Sequence, residues 1–99
     1  MKVISILGST GSIGRSTLSV IDLHPEKFKI FALSGFNNND LLLEQAIKFK
    51  PSFIVTKSLF SKKILMDKLK DTKLKTEVLY GDEGYTFIAS HEKVTTVVA

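Results

Sequence analysis

The 99-residue sequence contains no cysteine. It therefore has no disulfide framework, no cysteine-based zinc site and no thiol nucleophile. It also lacks an apolar run approaching the roughly 18 residues of a membrane-spanning helix. Its start, Met1-Lys2 followed by a strand-like run, does not have the pattern of a signal peptide. We expect a cytoplasmic protein without a membrane partner.

Arginine and histidine are both scarce. Arg15 is the only arginine among 14 basic residues, and the formal net charge is +4. The lysines are scattered over predicted helix faces, without the arginines or stacking aromatics usual in nucleic-acid readers, so we expect no nucleic-acid partner. His24 and His91 lack the companions of a catalytic triad or metal cluster. Asp82 and Glu83 are adjacent and are interpreted as part of a turn. The sequence therefore predicts no catalytic residue and no metal ligand.

Strand-like and helix-like segments alternate along the whole chain. The strands are predicted at Val3–Leu7, Lys29–Ser34, Phe53–Thr56, Glu77–Tyr80 and Thr95–Ala99. The helices are predicted at Ser12–Leu23, Leu41–Phe49, Leu59–Lys70 and Glu83–Ser90. Strict alternation with short connections predicts an α/β fold, a Rossmann-like parallel sheet with helices on both faces.

Helix faces and caps follow from the same pattern. We expect Asn39 or Asp40 to cap the second helix and Ser58 to cap the third. The inward residues should be Ile13, Thr17, Val20 and Ile21 in the first helix, and Phe60, Ile64, Leu65 and Leu69 in the third. The phenylalanines expected at the core or its edge are Phe28, Phe31, Phe53 and Phe87.

The last segment is strand-like up to Ala99, without a cap, turn or polar tail. We expect residues 1–99 to be an incomplete N-terminal domain of a longer protein, truncated at its fifth strand. Such a chain would expose an apolar sheet edge, so we expect self-association. The alternative is a complete small domain that ends in an edge strand.

The stretch LGSTGSIGRSTL joins the first strand to the first helix, and Gly8, Gly11 and Gly14 are three residues apart. In this position glycines permit a tight turn, close approach of a phosphate and close helix packing. The hydroxyls of Ser9, Thr10 and Ser12 could donate to phosphate oxygens. The P-loop lysine is missing, which argues against nucleoside triphosphate hydrolysis. The spacing favours a dinucleotide site, with a ligand-free turn as the alternative.

The end of the second strand carries no acidic residue before Asp40. Enzymes that use NAD place an acid there to bind the ribose 2′-hydroxyl. Without that acid a 2′-phosphate is not repelled, so the sequence favours NADP. Asn37 and Asn39 are neutral donors in this loop, or simply residues of a turn.

GSTGSIG followed by Arg-Ser-Thr-Leu resembles the amino terminus of the 1-deoxy-D-xylulose 5-phosphate reductoisomerase family. The segments HPEKFKIFALSGFNN, EQAIKFKPSFIV and TEVLYGDEG extend the resemblance over nearly the whole chain. It implies that Thr10, Gly11, Ser12 and Ile13 contact the pyrophosphate and nearby ribose of NADPH. The full expected cofactor set is Gly8, Ser9, Thr10, Gly11, Ser12, Ile13, Gly14, Gly35, Asn37 and Asn38.

The resemblance also places Gly35, Asn37 and Asn38 where the family receives the adenosine 2′-phosphate. Many members have glycine and a basic residue at positions 36 and 37, where this sequence has Phe36 and Asn37. This departure removes a charged partner of the 2′-phosphate and weakens the expected preference for NADPH.

For the parent protein, the resemblance implies NADPH-dependent conversion of 1-deoxy-D-xylulose 5-phosphate to 2-C-methyl-D-erythritol 4-phosphate in non-mevalonate isoprenoid biosynthesis. The divalent metal, Mg or Mn, and the sugar-phosphate substrate would be held beyond Ala99, and a homodimer is expected. Residues 1–99 alone would be inactive. Two alternatives are a non-catalytic dinucleotide-binding or interaction module, and another NADP-linked reductase such as a semialdehyde dehydrogenase.

Overall fold

The computed structural model describes residues 1–99 as five strands that alternate with four helices. The strands are β1 (Lys2–Ile6), β2 (Phe28–Ser34), β3 (Phe53–Thr56), β4 (Glu77–Tyr80) and β5 (Thr96–Val98). The helices are α1 (Ser12–Asp22), α2 (Asn39–Phe49), α3 (Leu59–Leu69) and α4 (Gly81–Ser90). The predicted order is confirmed, and β3 and β4 have the predicted bounds. None of the helices is long and apolar enough to cross a membrane.

All five strands form one parallel sheet in the order β4-β3-β2-β1-β5. From β1 to β4 the chain steps in one direction, so right-handed crossovers place α1, α2 and α3 on the same face. The return from β4 to β5 reverses direction, which places α4 on the other face. Two core clusters follow this division: a larger one beneath α1 to α3 and a smaller one around Ile88 of α4. The predicted Rossmann-like sheet, covered on both faces, is confirmed.

The buried face of α1 agrees with the prediction at Ile21 and differs from it at Ile13 and Val20. Ile13 and Val20 are 68% and 56% exposed, whereas Gly14 and Leu18 are buried together with Ile21. The true inward stripe is displaced by about one residue from the predicted one. Its first member is Gly14, and a pattern of apolar side chains does not identify a glycine.

In α3 the prediction is confirmed for Leu65 and Leu69 and wrong for Phe60 and Ile64. Phe60 is 75% exposed and Ile64 is also exposed, while Ser61, Leu65 and Leu69 are buried. Of the predicted core phenylalanines, Phe31 is buried and Phe28 and Phe53 are partly buried, but Phe87 is 41% exposed.

The cap of α2 is Asn38, so the predicted capping by Asn39 or Asp40 was wrong. The Asn38 Oδ1 accepts a hydrogen bond from the Leu41 N–H at 3.1 Å. The Asn39 Oδ1 instead accepts from Thr56 Oγ1 at 2.8 Å, at the end of β3. The Asp40 carboxylate lies 3.1 Å from Lys68 Nζ on α3. These side chains attach the start of α2 to its neighbours.

Ser58 caps α3 as predicted, since its Oγ accepts from the Ser61 N–H at 3.2 Å. Replacement of Ser58 by alanine leaves that N–H without a partner, and Ser61 is buried. We expect Ser58→Ala to lower the free energy of unfolding by about 1 kcal/mol. Urea denaturation would measure the loss. Ser58→Asp, which keeps a capping oxygen, should retain the stability of the wild type, and equal losses for both variants would refute the role of the cap.

Candidate functional site

The loop between β1 and α1 is held against the end of β2 by hydrogen bonds. The Gly8 N–H donates to Ser34 Oγ at 2.9 Å, and the Ser9 N–H donates to the Ser34 carbonyl at 2.7 Å. Gly8 has a φ of +79°, a conformation that favours glycine. The tight turn predicted for the first glycine is therefore present, at the carboxyl edge of the sheet.

The third glycine brings α1 against this loop. A Cβ at Gly14 would lie 2.4 Å from the Gly8 carbonyl oxygen and 2.5 Å from the Ser9 Cα. Both neighbours are backbone atoms that cannot rotate away. The predicted close packing of the helix is thus observed, with the loop as its partner. Gly11 differs, because a Cβ there would meet only the Gly8 carbonyl oxygen, at 3.4 Å.

The N-terminus of α1 is open. Its N-cap residue, Gly11, provides no side-chain hydrogen bond, and its first turn contains no acidic residue. The other three helices each have a capping side chain, an acidic first turn or both. The N–H groups of Ser12, Ile13 and Gly14 donate no hydrogen bond within the protein. This end therefore presents unpaired donors and a partial positive charge, the arrangement that binds phosphate.

Gln45 is a member of the site that the sequence did not single out. It is buried on α2, where its Oε1 accepts from Ser9 Oγ at 2.7 Å and its Nε2 donates to the Ser9 carbonyl at 2.9 Å. The Ser9 hydroxyl, expected to donate to phosphate, is therefore buried and donates within the protein. The only signal for Gln45 was its place in the segment EQAIKFKPSFIV.

Gly35, directly after β2, lies against the loop that follows β1. A Cβ at this position would lie 3.2 Å from Thr10 Cγ2 and 3.3 Å from Thr10 Oγ1. The Tyr85 hydroxyl on α4 donates to the Gly35 carbonyl at 2.9 Å. Burial, together with the negative charge of Asp82, raises the pKa of Tyr85 above its ordinary value. Tyr85 therefore remains protonated, and a donor, at neutral pH.

The predicted cofactor residues form two groups at this edge of the sheet. Those open to solvent, wholly or in part, are Gly8, Thr10, Gly11, Ser12, Ile13, Asn37 and Asn38. Ser9, Gly14 and Gly35 are buried and shape the loops instead. The carboxyl ends of β1 and β2 thus bring both predicted loops together at one edge of the sheet.

The two histidines lie apart from these loops. His91 follows α4, with its ring centroid 4.6 Å from that of Phe31 and 5.2 Å from that of Phe87. His24 lies in the exposed turn after α1. No group of three or more His, Cys, Asp or Glu side chains is placed to hold a metal ion.

A family model described as 1-deoxy-D-xylulose 5-phosphate reductoisomerase matches residues 4–99. The chain belongs to this family. Similar members include the reductoisomerases of Haemophilus influenzae strain PittEE, 46% identical over 96 residues, and Haemophilus ducreyi, 42% identical over 99 residues. These alignments cover 97% and 100% of this chain but 24% and 25% of the relatives. The chain therefore spans about a quarter of the reductoisomerases it matches.

Solved reductoisomerases share the fold. One in complex with NADPH, fosmidomycin and magnesium superposes with a TM-score of 0.95 at 46% identity, over 100% of this chain and 24% of the solved one. The reductoisomerase of Zymomonas mobilis in complex with NADPH gives a TM-score of 0.84 at 24% identity, over 93% of this chain and 24% of its own. The second likeness concerns the fold alone.

Proposed function

We propose that residues 1–99 are the N-terminal NADPH-binding domain of a reductoisomerase. The whole protein would convert 1-deoxy-D-xylulose 5-phosphate to 2-C-methyl-D-erythritol 4-phosphate, and its catalytic and C-terminal domains would lie outside these residues. The observation that carries the proposal is the open N-terminus of α1, where three backbone N–H groups have no partner. The reductoisomerase bound to NADPH, with its TM-score of 0.95, supports the same assignment.

The pyrophosphate of NADPH would lie at the loop that precedes α1. Gly11, Ser12 and Ile13 are exposed there, and the Thr10 side chain stands between this loop and Gly35. A phosphate at a helix N-terminus gains hydrogen bonds and about 0.3–1 kcal/mol from the helix dipole. NADPH, when bound, supplies the hydride of the reaction. The chain's own contribution is to hold and orient the cofactor.

The adenosine 2′-phosphate would lie at the end of β2, near Gly35, Asn37 and Asn38. No carboxylate precedes Asp40 in this loop, and Asp40 itself is paired with Lys68. A 2′-phosphate would therefore meet no unpaired negative charge from this loop. The divalent metal and the sugar-phosphate substrate are assigned to the rest of the protein.

The test is calorimetric titration of the chain with NADPH, before and after Gly11→Asp. Gly11 has extended backbone, with φ −80° and ψ 175°, and space for a side chain, so the fold should tolerate the substitution. Aspartate is a good N-cap, but its charge would repel the pyrophosphate. We expect NADPH binding to weaken at least tenfold, which corresponds to about 1.4 kcal/mol.

Gly11→Asn is the matched control, because it has the same shape without the charge. It should weaken NADPH binding much less than Gly11→Asp. Circular dichroism would confirm that all three proteins are folded. Failure of the folded wild type to bind NADPH would refute the proposal, as would equal binding by the aspartate variant.

A further inference from the structure

Lys57 lies at the same edge of the sheet as the loop that follows β2. It is the first residue after β3, and β3 is the direct neighbour of β2. Its Nζ donates to the Asn37 Oδ1 at 2.7 Å and lies 5.5 Å from the centroid of the Phe36 ring. The Lys57 cation, at the end of β3, therefore lies beside the loop that follows β2.

The backbone that bears Lys57 is fixed relative to this loop. The Thr56 hydroxyl donates to Asn39 Oδ1 at 2.8 Å, and the Gly35 N–H donates to the Val55 carbonyl at 3.0 Å. These bonds tie the end of β3 to both sides of Phe36 and Asn37. Only the side chain of Lys57 then has to be ordered, and its ammonium group contacts Asn37 Oδ1 and the Phe36 ring.

The charge of Lys57 is not neutralised by a carboxylate. The ion pairs of the structure join Lys48 to Asp22, Lys68 to Asp40 and Lys70 to Asp67. Asp40 is the nearest acid in the chain after β2, and its partner is Lys68. An ammonium group carries three N–H donors, and Asn37 accepts one of them. Two donors and a full positive charge remain for a ligand.

In dinucleotide-binding folds, an acid at the end of the second strand binds the ribose 2′-hydroxyl of NAD, whereas a nearby cation accommodates the 2′-phosphate of NADP. The resemblance places the basic residue at position 37, which is asparagine here. We propose that Lys57 supplies this cation from β3 and determines the preference for NADPH over NADH. Asn37 would act as a positioning residue for Lys57. This inference rests on the proposed function.

The experiment compares binding of 2′,5′-ADP and 5′-AMP to the chain by calorimetry, because these ligands differ only in the 2′-phosphate. The wild type should prefer 2′,5′-ADP. Lys57→Gln should weaken 2′,5′-ADP about tenfold and change 5′-AMP by less than twofold. Lys57→Arg should keep the preference. Lys63→Gln is the matched control, since it removes the same charge from an exposed position on α3.

The outcomes separate this inference from the proposed function. The role of Lys57 is overturned if Lys57→Gln keeps the wild-type preference for 2′,5′-ADP over 5′-AMP. It is also overturned if Lys57→Gln weakens both ligands equally, or if Lys63→Gln has the same effect as Lys57→Gln. Equal binding of NADPH and NADH by the wild type also overturns the role of Lys57, but it leaves the proposed dinucleotide site supported. Folded wild type that binds neither dinucleotide overturns both.

Discussion

Replacement of Gly14 by alanine should lower the free energy of unfolding by about 3 kcal/mol. Alanine is a better helix former than glycine by about 1 kcal/mol, so propensity alone predicts a gain. The new Cβ would, however, lie 2.4 Å from the Gly8 carbonyl oxygen and 2.5 Å from the Ser9 Cα. The helix or the loop must then move as a unit. Thermal unfolding should show a Tm at least about 10 °C lower.

Gly84 in α4 provides the control for this prediction. A Cβ there would meet the side chains of Val55, at 2.8 Å from Cγ1, and Leu79, at 3.1 Å from Cβ. The nearest atom, Val55 Cγ1, can move by rotation of that side chain, whereas the atoms that face Gly14 belong to the backbone, so Gly84→Ala should be destabilised less than Gly14→Ala. A Gly14→Ala protein as stable as the wild type would show that α1 does not depend on this close approach.

Replacement of Gln45 by leucine should be the next most damaging change, with a loss of about 2–3 kcal/mol. Leucine keeps the volume of the buried side chain but removes both hydrogen bonds to Ser9. The Ser9 carbonyl loses the Gln45 partner, while the Ser9 hydroxyl keeps the Ser34 carbonyl at 3.1 Å. The loop before α1 would be released from α2, so NADPH binding should weaken as well. Urea denaturation and NADPH titration would measure the two effects.

A double-mutant cycle with Ser9→Ala separates the contributions. Ser9→Ala removes the hydroxyl but leaves the bond from Gln45 Nε2 to the Ser9 carbonyl, so its loss should be smaller. The two substitutions together should cost less than the sum of the single ones, because both remove the bond between Ser9 Oγ and Gln45 Oε1. Strict additivity, or a Gln45→Leu protein with wild-type stability, would contradict the role of the pair.

The element order could be predicted because the local signals agree with one another. Pro51 ends the helix before β3, and short apolar runs mark β3 and β4, whose bounds were predicted correctly. The tight turn of the Gly-rich loop was also predicted correctly, and its role as a phosphate site stays a prediction. Periodicity and turn chemistry act over a few residues, which a single sequence displays directly.

The inward faces and the polar links could not be predicted in the same way. Gly14 and Ser61 are buried, although their larger apolar neighbours Ile13 and Phe60 were predicted to face inward. At Gly14 the close approach of the loop leaves no room for a side chain. Ser9 and Gln45 are 36 positions apart, and Lys57 and Asn37 are 20 apart. Each pair meets only once the sheet has set the order of β1, β2 and β3.

Ser34 accepts hydrogen bonds from the N–H groups of Gly8 and Ser9 before any ligand arrives. The loop ahead of α1 therefore loses its conformational freedom during folding. A phosphate bound at the N-terminus of α1, as proposed, would meet donors already in place, and little further backbone entropy would be lost. Under the proposed function, the affinity for NADPH would thereby be coupled to the stability of the sheet. Substitutions far from the ligand that loosen β2 would then also raise the dissociation constant for NADPH.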